Sequence, residues 1–489
     1  MSPGERERSV VGAVPAQLFI NGRWRPARSG QTFDVEDPSS GKGLCAVADA
    51  TPADGMAALD AAVAAQAGWA QQPPRERGEI LRRAYELMMA RQDDLALLMT
   101  LEMGKPLAES RAEISYAAEF FRWFAEEGVR IGGDFATAPG GSGRFLVLRQ
   151  PVGPALLITP WNFPAAMGTR KIGPAVAAGC TMVLKPAGLT PLSILALTGI
   201  LAECGLPDGV LNVVPTSRSG PVMEPLIRDG RARKLSFTGS TEVGRTLLEQ
   251  CAGQIMRTSM ELGGNAPFLV FPDADLDAAI EGALTAKMRN IGEACTAANR
   301  FYVHTDLIEE FSHRLAERMG ALRIGRGTED GVAVGPLIEA KAQDKVAHLV
   351  EDAVTRGARV LTGGEPVDGP GYFYRPTVLA DVPSDAEMAR TEIFGPVAPI
   401  YSFTTEDDAL TQANDTPFGL VSYVYTGDMG RALRVCERLE TGMVGLNQGL
   451  VSNPAAPFGG VKHSGLGREG GKAGIEEFLE IKYIAIATG

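Results

Sequence analysis

The sequence predicts an α/β protein built as two parallel-sheet lobes with a small separate β element, and three observations predict it. Short apolar strand-like runs alternate with Ala/Leu-rich helical segments between residues 155 and 251. The alternation restarts between 268 and 361, and two strand-like stretches, 144–150 and 480–487, fit neither series. Strand–helix–strand repetition makes neighbouring strands parallel and covers both faces of the sheet with helices. At 489 residues the chain is long enough for two large lobes and an appendage.

In chain order, residues 51–103 read as helices, because apolar residues recur at spacings of three and four through Met56, Leu59 and Val63, and again through Ile80, Leu81, Tyr85, Leu87 and Met88. These helices pack on a sheet or support it. A Gly/Ala/Pro-rich loop at 132–143 leads into the alternating stretch 144–150. The first lobe follows, with strands at 155–159, 181–184, 210–214 and 234–237 and helical segments at 172–179, 194–204 and 243–251. The second takes strands at 268–270, 300–303 and 358–361 and helices at 276–290 and 308–319. The run EIKYIAIA at 480–487 is an isolated strand. Strands without a local partner often pair between subunits; a small intramolecular hairpin or sheet edge is the alternative.

Composition narrows the function. There are 47 basic and 59 acidic side chains, a net charge of −12, and no basic block, which argues against nucleic acid as a partner. An anionic ligand would have to be held by local arginines. The longest apolar stretches, 154–160 and 194–202, fall far short of the ~20 residues of a membrane helix. The opening MSPGERERSV has no apolar run behind it, so a cytoplasmic protein is expected. Six cysteines (45, 180, 204, 251, 295, 436) without a CxxC, and four histidines without HxxxH or HExxH spacing, give no disulfide framework and no metal site.

Several segments carry possible chemistry. Gly465, Gly467 and Gly470 match GxGxxG by letter but follow the polar Lys462-His463-Ser464, so they read as a glycine-rich turn rather than a dinucleotide fingerprint. KLSFTGSTEVG at 234–244 is a better phosphate candidate: a strand, a Gly-Ser turn and a helix start whose free N–H groups suit a pyrophosphate, although such joints are also common caps. Cys295 lies among small residues that would let a substrate approach, and is equally compatible with a buried inert thiol. Glu261 precedes Gly263 and Gly264 in an apolar joint where a carboxylate is costly unless paired or functional. Asn162 sits between Pro160 and Pro164, a fixed amide able to serve as an oxyanion donor or simply to make a turn.

Taken together these segments agree. TPWNFP at 159–164, Lys185-Pro186-Ala187, FTGS at 237–240, ELGG at 261–264, the segment around Cys295, EIFGP at 392–396 and PFGG at 457–460 occur in the order seen in one family. The chain resembles the aldehyde dehydrogenase superfamily over essentially its full length. That resemblance implies an α/β, aldehyde dehydrogenase-like fold: two Rossmann-type lobes plus a small β oligomerisation element. It divides the chain into a cofactor-binding domain (1–131 and 151–260), a catalytic domain (261–464) and an oligomerisation element (132–150 and 465–489), and implies a homodimer or homotetramer. It further implies that Cys295 is the nucleophile, that Asn162 and the Cys295 N–H hold the oxyanion, and that Glu261 activates the hydrolytic water. Lys185 is expected at the adenosine ribose, Ser240 at the pyrophosphate, Glu392 at the nicotinamide ribose, Phe394 against the nicotinamide and Trp161 beside the cofactor path. Thr159, Pro160, Ala187, Gly188, Arg218, Thr238, Gly239 and Leu262 complete the expected cofactor set.

Within the superfamily the chain is most similar to succinate-semialdehyde dehydrogenases, on AAMGTRK at 165–171, MRNIGEACTAANR at 288–300 and the C-terminal run 456–483. The resemblance assigns Arg170, Arg289 and Ser452 to the distal carboxylate of a small anionic aldehyde, for which guanidinium forks are suited. Two departures follow. Ala297 replaces the second cysteine that some members use as a redox switch. Gly188 replaces a glutamate that would repel a 2′-phosphate, so NADP is slightly favoured over NAD, with Lys185 and Arg218 as cationic partners. Glutarate semialdehyde, a broad range of uncharged aldehydes, and a nucleotide-binding structural protein without turnover are the alternatives.

Overall fold

The structure is a computed structural model that describes residues 2–487; Met1, Thr488 and Gly489, at the ends of the expected 1–131 and 465–489 segments, lie outside the described residues. Its first lobe is an eight-stranded sheet. Leu211–Val213, Met182–Lys185, Ala155–Ile158, Lys234–Thr238 and Arg257–Glu261 run parallel side by side, and every residue of the middle three is buried. Continuous apolar runs of this kind belong to parallel strands covered on both faces. Leu18–Ile20 and Arg23–Arg25 extend one edge in antiparallel fashion.

Helix Pro164–Ala178 starts eight residues before the expected 172. Its first turn is Pro164-Ala165-Ala166-Met167, whose small residues carry little apolar periodicity, yet Pro164 at the first position is preorganised for helix and the whole element is buried. The helices Pro52–Ala70, Pro74–Ala90 and Gln92–Met103 form as expected, joined by Leu107–Glu127, which packs directly on Pro164–Ala178.

The second lobe is a seven-stranded sheet ordered Arg359–Thr362, Thr377–Ala380, Val397–Phe403, Ala298–His304, Ala266–Val270, Val421–Tyr425, Met443–Leu446. It is parallel except at Arg359–Thr362, an antiparallel edge strand. The carboxyl end of Arg257–Glu261 in one sheet and the turn before Ala298–His304 in the other both open on the space between the lobes.

Two expectations need correction. The stretches 144–150 and 480–487 pair with each other inside the chain, the intramolecular alternative: Leu479–Ala487 runs antiparallel to Gly143–Pro151 in unbroken register from Leu479–Pro151 to Ala487–Gly143, with Asp134–Thr137 on the far side. Their separation of more than three hundred residues hid this in the sequence. Residues 465–478, expected in the oligomerisation element, instead close the first lobe. Gly465–Leu466, read as part of a turn, is the eighth strand of its sheet, paired with Met260 and Glu261. Gly465 has φ +131°, and a Cβ there would lie 1.9 Å from the Met260 carbonyl oxygen, so only glycine lets this strand approach. Among the described residues no helix is long and apolar enough to cross a membrane.

Candidate active site

Cys295 follows an unusual stretch of backbone. Asn290, Ile291 and Gly292 have φ of +54°, +62° and +79°, three left-handed residues in succession, and a Cβ on Gly292 would meet the Gly395 carbonyl oxygen at 2.2 Å. Such strain persists only where the surroundings fix it. Here Asn290 N donates to Glu109 at 2.6 Å, the Asn290 amide donates to the carbonyls of Asn162 (3.0 Å) and Glu293 (2.8 Å), and Ile338 N donates to the Glu293 carboxylate at 3.1 Å.

Asn162 occupies the turn after strand Ala155–Ile158. Its side-chain oxygen accepts the Phe163 N–H (3.1 Å), which fixes the amide orientation, and its Nδ2 donates to the Glu293 carbonyl at 3.0 Å. An amide nitrogen carries two protons, so one remains. The Cys295 N–H also has no acceptor among the described residues. Two unspent donors beside a thiol are the geometry that stabilises an oxyanion formed there.

The electrostatics follow from burial. Cys295 keeps part of its surface open, but desolvation lifts its thiol well above the ordinary range, helped by the Glu261 and Glu392 carboxylates and opposed by Arg170 and Arg289. Glu261, the last residue of its strand, is buried with neither carboxylate oxygen hydrogen-bonded, and is pushed up to about 8, chiefly by desolvation and then by Glu469. Glu392 reaches about 7 through burial, although its Oε1 accepts the Gly264 N–H at 3.1 Å. Burial also works on Glu469, but Lys171 and Arg170 overcome it and hold that carboxyl below its usual value.

A cavity of about 240 Å³ runs between the lobes at this point. The structure brings to its wall Pro160, Trp161 and Asn162 from one strand end, Thr238, Gly239 and Ser240 from the next, Glu261 and Leu262 from the third, then Cys295, Glu392 and Phe394 from the second lobe. Trp161 and Phe394 meet edge-on, ring centres 5.4 Å apart. Ser240 caps helix Thr241–Ala252, and the Thr238 hydroxyl is buried without a partner. Met167, Gly263 and Lys345 also line it and were missed. A lone lysine on helix Ala340–Thr355 gives no signal in sequence; here its Nζ donates to the Glu392 carbonyl at 2.7 Å.

The remaining residues lie outside this cavity wall. Thr159 has an unpartnered buried hydroxyl at the strand end. Lys185, pulled down to about 8 by burial, donates to Ser219 Oγ (3.1 Å) at the start of helix Ser219–Arg228. Ala187 is buried just beyond it, Gly188 packs near Thr216 and Ser217, and exposed Arg218 makes no ion pair among the described residues. Arg289 is half-buried, has no carboxylate partner among the described residues, and donates to Ser452 Oγ at 3.1 Å. Arg170 behaves differently from the free clamp expected. It is fully buried, faces Glu469 at 3.3 Å, donates to Tyr116 Oη at 3.0 Å, and lies 4.1 Å from the Phe458 ring centre.

The aldehyde dehydrogenase family profile matches residues 24–484. The chain belongs to the aldehyde dehydrogenase family. It is 60% identical over 444 residues to a succinate-semialdehyde dehydrogenase of Paenarthrobacter nicotinovorans, covering 91% of this chain and 99% of that one. It is 52% identical to a glutarate-semialdehyde dehydrogenase of Pseudomonas putida, covering 96% and 98%. The crystal structure of an E. coli NADP dependent enzyme superposes with a TM-score of 0.96 at 52% identity, over 97% of this chain and 98% of that one. The two lobes and the small sheet are thus an aldehyde dehydrogenase fold.

The Glu261 environment is directly measurable. A carboxyl raised to about 8 is neutral below that value and ionises above it, so its carboxylate band, isolated by infrared difference against Glu261→Gln, should grow between about pH 7 and about 9. A full carboxylate signal at mildly acidic pH would contradict the unpaired, desolvated site.

Proposed function

We propose that this aldehyde dehydrogenase oxidises succinate semialdehyde to succinate with NADP or NAD. The observation that carries the substrate class is Arg289: a half-buried guanidinium without a carboxylate partner among the described residues, steadied by Ser452, six positions ahead of the thiol. A chain of net charge −12 gathers a small anion only where such a fork is left free. The activity of the Paenarthrobacter relative supports the same substrate, and that of the Pseudomonas relative keeps glutarate semialdehyde, one methylene longer, as the second reading.

In this reading Cys295 attacks the aldehyde carbon as the thiolate, the formation of which Arg170 and Arg289 favour. The resulting oxyanion takes hydrogen bonds from Asn162 Nδ2 and the Cys295 N–H. A nicotinamide held against Phe394 and Glu392 would supply the hydride acceptor at this stage. The thioester left on Cys295 is then opened by water whose proton Glu261 removes, which a carboxylate with a value near neutrality does well. Products are the carboxylic acid and the regenerated thiolate.

The residues fit a pyridine dinucleotide: a capped helix start at Ser240, partnerless buried hydroxyls on Thr159 and Thr238, and Glu392 and Phe394 across the cavity. At the adenosine end Lys185 and Arg218, which has no ion pair among the described residues, supply positive charge, and Gly188 supplies no carboxylate to repel a 2′-phosphate. We therefore infer that NADP is used at least as well as NAD. We also propose a homodimer or homotetramer joined through the three-stranded sheet, which exposes Phe135, Ile484 and Ile486 on one face and Ile481 and Tyr483 on the other.

Three measurements test these readings. With Arg289→Leu, kcat/KM should fall about ten- to hundredfold on succinate semialdehyde and little on butanal, since losing a charge-assisted pair costs roughly 1.5–3 kcal/mol; equal losses would favour broad specificity. Gly188→Glu should move the NAD-to-NADP ratio of kcat/KM toward NAD by about tenfold or more, equivalent to ~1.4 kcal/mol; an unchanged ratio would remove this position from cofactor choice. Sedimentation should give a multiple of 51.7 kDa, and an active monomer at micromolar concentration would defeat the assembly proposal.

A further inference from the structure

Arg289 and Arg170 are each tied to a hydroxyl. Arg289 Nη1 donates to Ser452 Oγ at 3.1 Å, and Arg170 Nη2 donates to Tyr116 Oη at 3.0 Å. In both pairs the guanidinium occupies a lone pair of the hydroxyl oxygen, so the O–H must point elsewhere, and neither proton finds an acceptor among the described residues. Tyr116 also touches the second arginine, since the Arg289 guanidinium carbon lies 5.8 Å from its ring centre. An edge-on contact with Phe120, ring centres 5.0 Å apart, holds the ring in place. Tyr116 is half-buried and its hydroxyl bonds no backbone group among the described residues, so none of them spends its proton.

We propose that Tyr116 is a substrate-binding residue whose hydroxyl donates to the distal carboxylate of the aldehyde, completing a clamp with Arg289 and Ser452. The proposal rests on the carboxylate reading above. It gives Arg170 a different part from the one expected of it. With its charge already facing Glu469, Arg170 acts through Tyr116, polarising the hydroxyl and aiming its proton, because a donor that also accepts from a cation is strengthened. Arg289 then supplies the charge and the two hydroxyls supply direction.

The test is Tyr116→Phe, assayed beside Arg289→Leu with succinate semialdehyde and butanal. Losing one hydrogen bond to an anion should lower kcat/KM for succinate semialdehyde about five- to twentyfold, through KM rather than kcat, and leave butanal within about twofold. Succinate, as an inhibitor of butanal oxidation, should weaken by a similar factor, a readout that a residue serving only to satisfy Arg170 would not move. Unchanged succinate semialdehyde kinetics in Tyr116→Phe, with a selective loss in Arg289→Leu, would overturn the tyrosine assignment and leave the carboxylate reading standing. Equal losses on both aldehydes in Tyr116→Phe would reduce it to a structural prop. The Arg289→Leu arm judges the carboxylate reading by itself, so failure of either claim is visible separately.

Discussion

The site depends on one buried ion pair remote from the reacting atoms. Lys105 and Glu113, both almost wholly buried, stand 2.5 Å apart. Lys105 also donates to the Asn162 carbonyl at 2.8 Å and lies over the Phe163 ring, while the other Glu113 oxygen accepts the Ala165 and Ala166 N–H groups that open helix Pro164–Ala178. One pair thereby fixes Asn162, the proposed oxyanion donor, and the start of the helix that carries Arg170. Removing either partner would strand a charge in the interior at a cost of about 3–5 kcal/mol, whereas intact its lone pairs and protons are well used. The pair comes from the helical layer at 104–127, which is why a sheet protein needs that layer.

A second division concerns three carboxylates, Glu261 and Glu469 buried and Glu392 half-buried. Glu469 takes both nearby cations, Arg170 and Lys171, and stays ionised. Glu392 takes a backbone N–H and sits near neutrality. Glu261 takes nothing and rises furthest of the three. The polar partners are distributed so that the carboxyl lining the cavity with the thiol is left without an ion pair or hydrogen bond among the described residues. The negative potential of that arrangement raises the thiol as well, and Arg170 and Arg289 oppose that rise.

These assignments also explain why the backbone before Cys295 is strained. Three consecutive left-handed residues lead into Cys295 at the cavity that Asn162 also lines, and they are held by hydrogen bonds that the Asn290 N–H and amide donate to Glu109 and the Glu293 carbonyl and that Ile338 N donates to the Glu293 carboxylate. The strain is held by long-range contacts rather than by local preference.

The sequence by itself determined the alternation of both lobes and the family, because parallel strands buried on both faces must be written as apolar runs and the reactive turns tolerate few residues. It placed Cys295, Asn162 and Glu261 as candidates for the same reason: small or rigid neighbours around a thiol, an amide and a carboxylate are visible in one dimension. Three things it left to the tertiary structure. The pairing of Leu479–Ala487 with Gly143–Pro151 and of Gly465–Leu466 with Met260–Glu261 joins distant segments, and strand periodicity names a face without naming a partner. Lys345 and Tyr116 carry no local pattern, being single residues on amphipathic helices. Which arginine is free was also decided only in three dimensions, since Arg170 and Arg289 are alike in sequence, and a guanidinium's role is set by whether a carboxylate reaches it first, as Glu469 reaches Arg170.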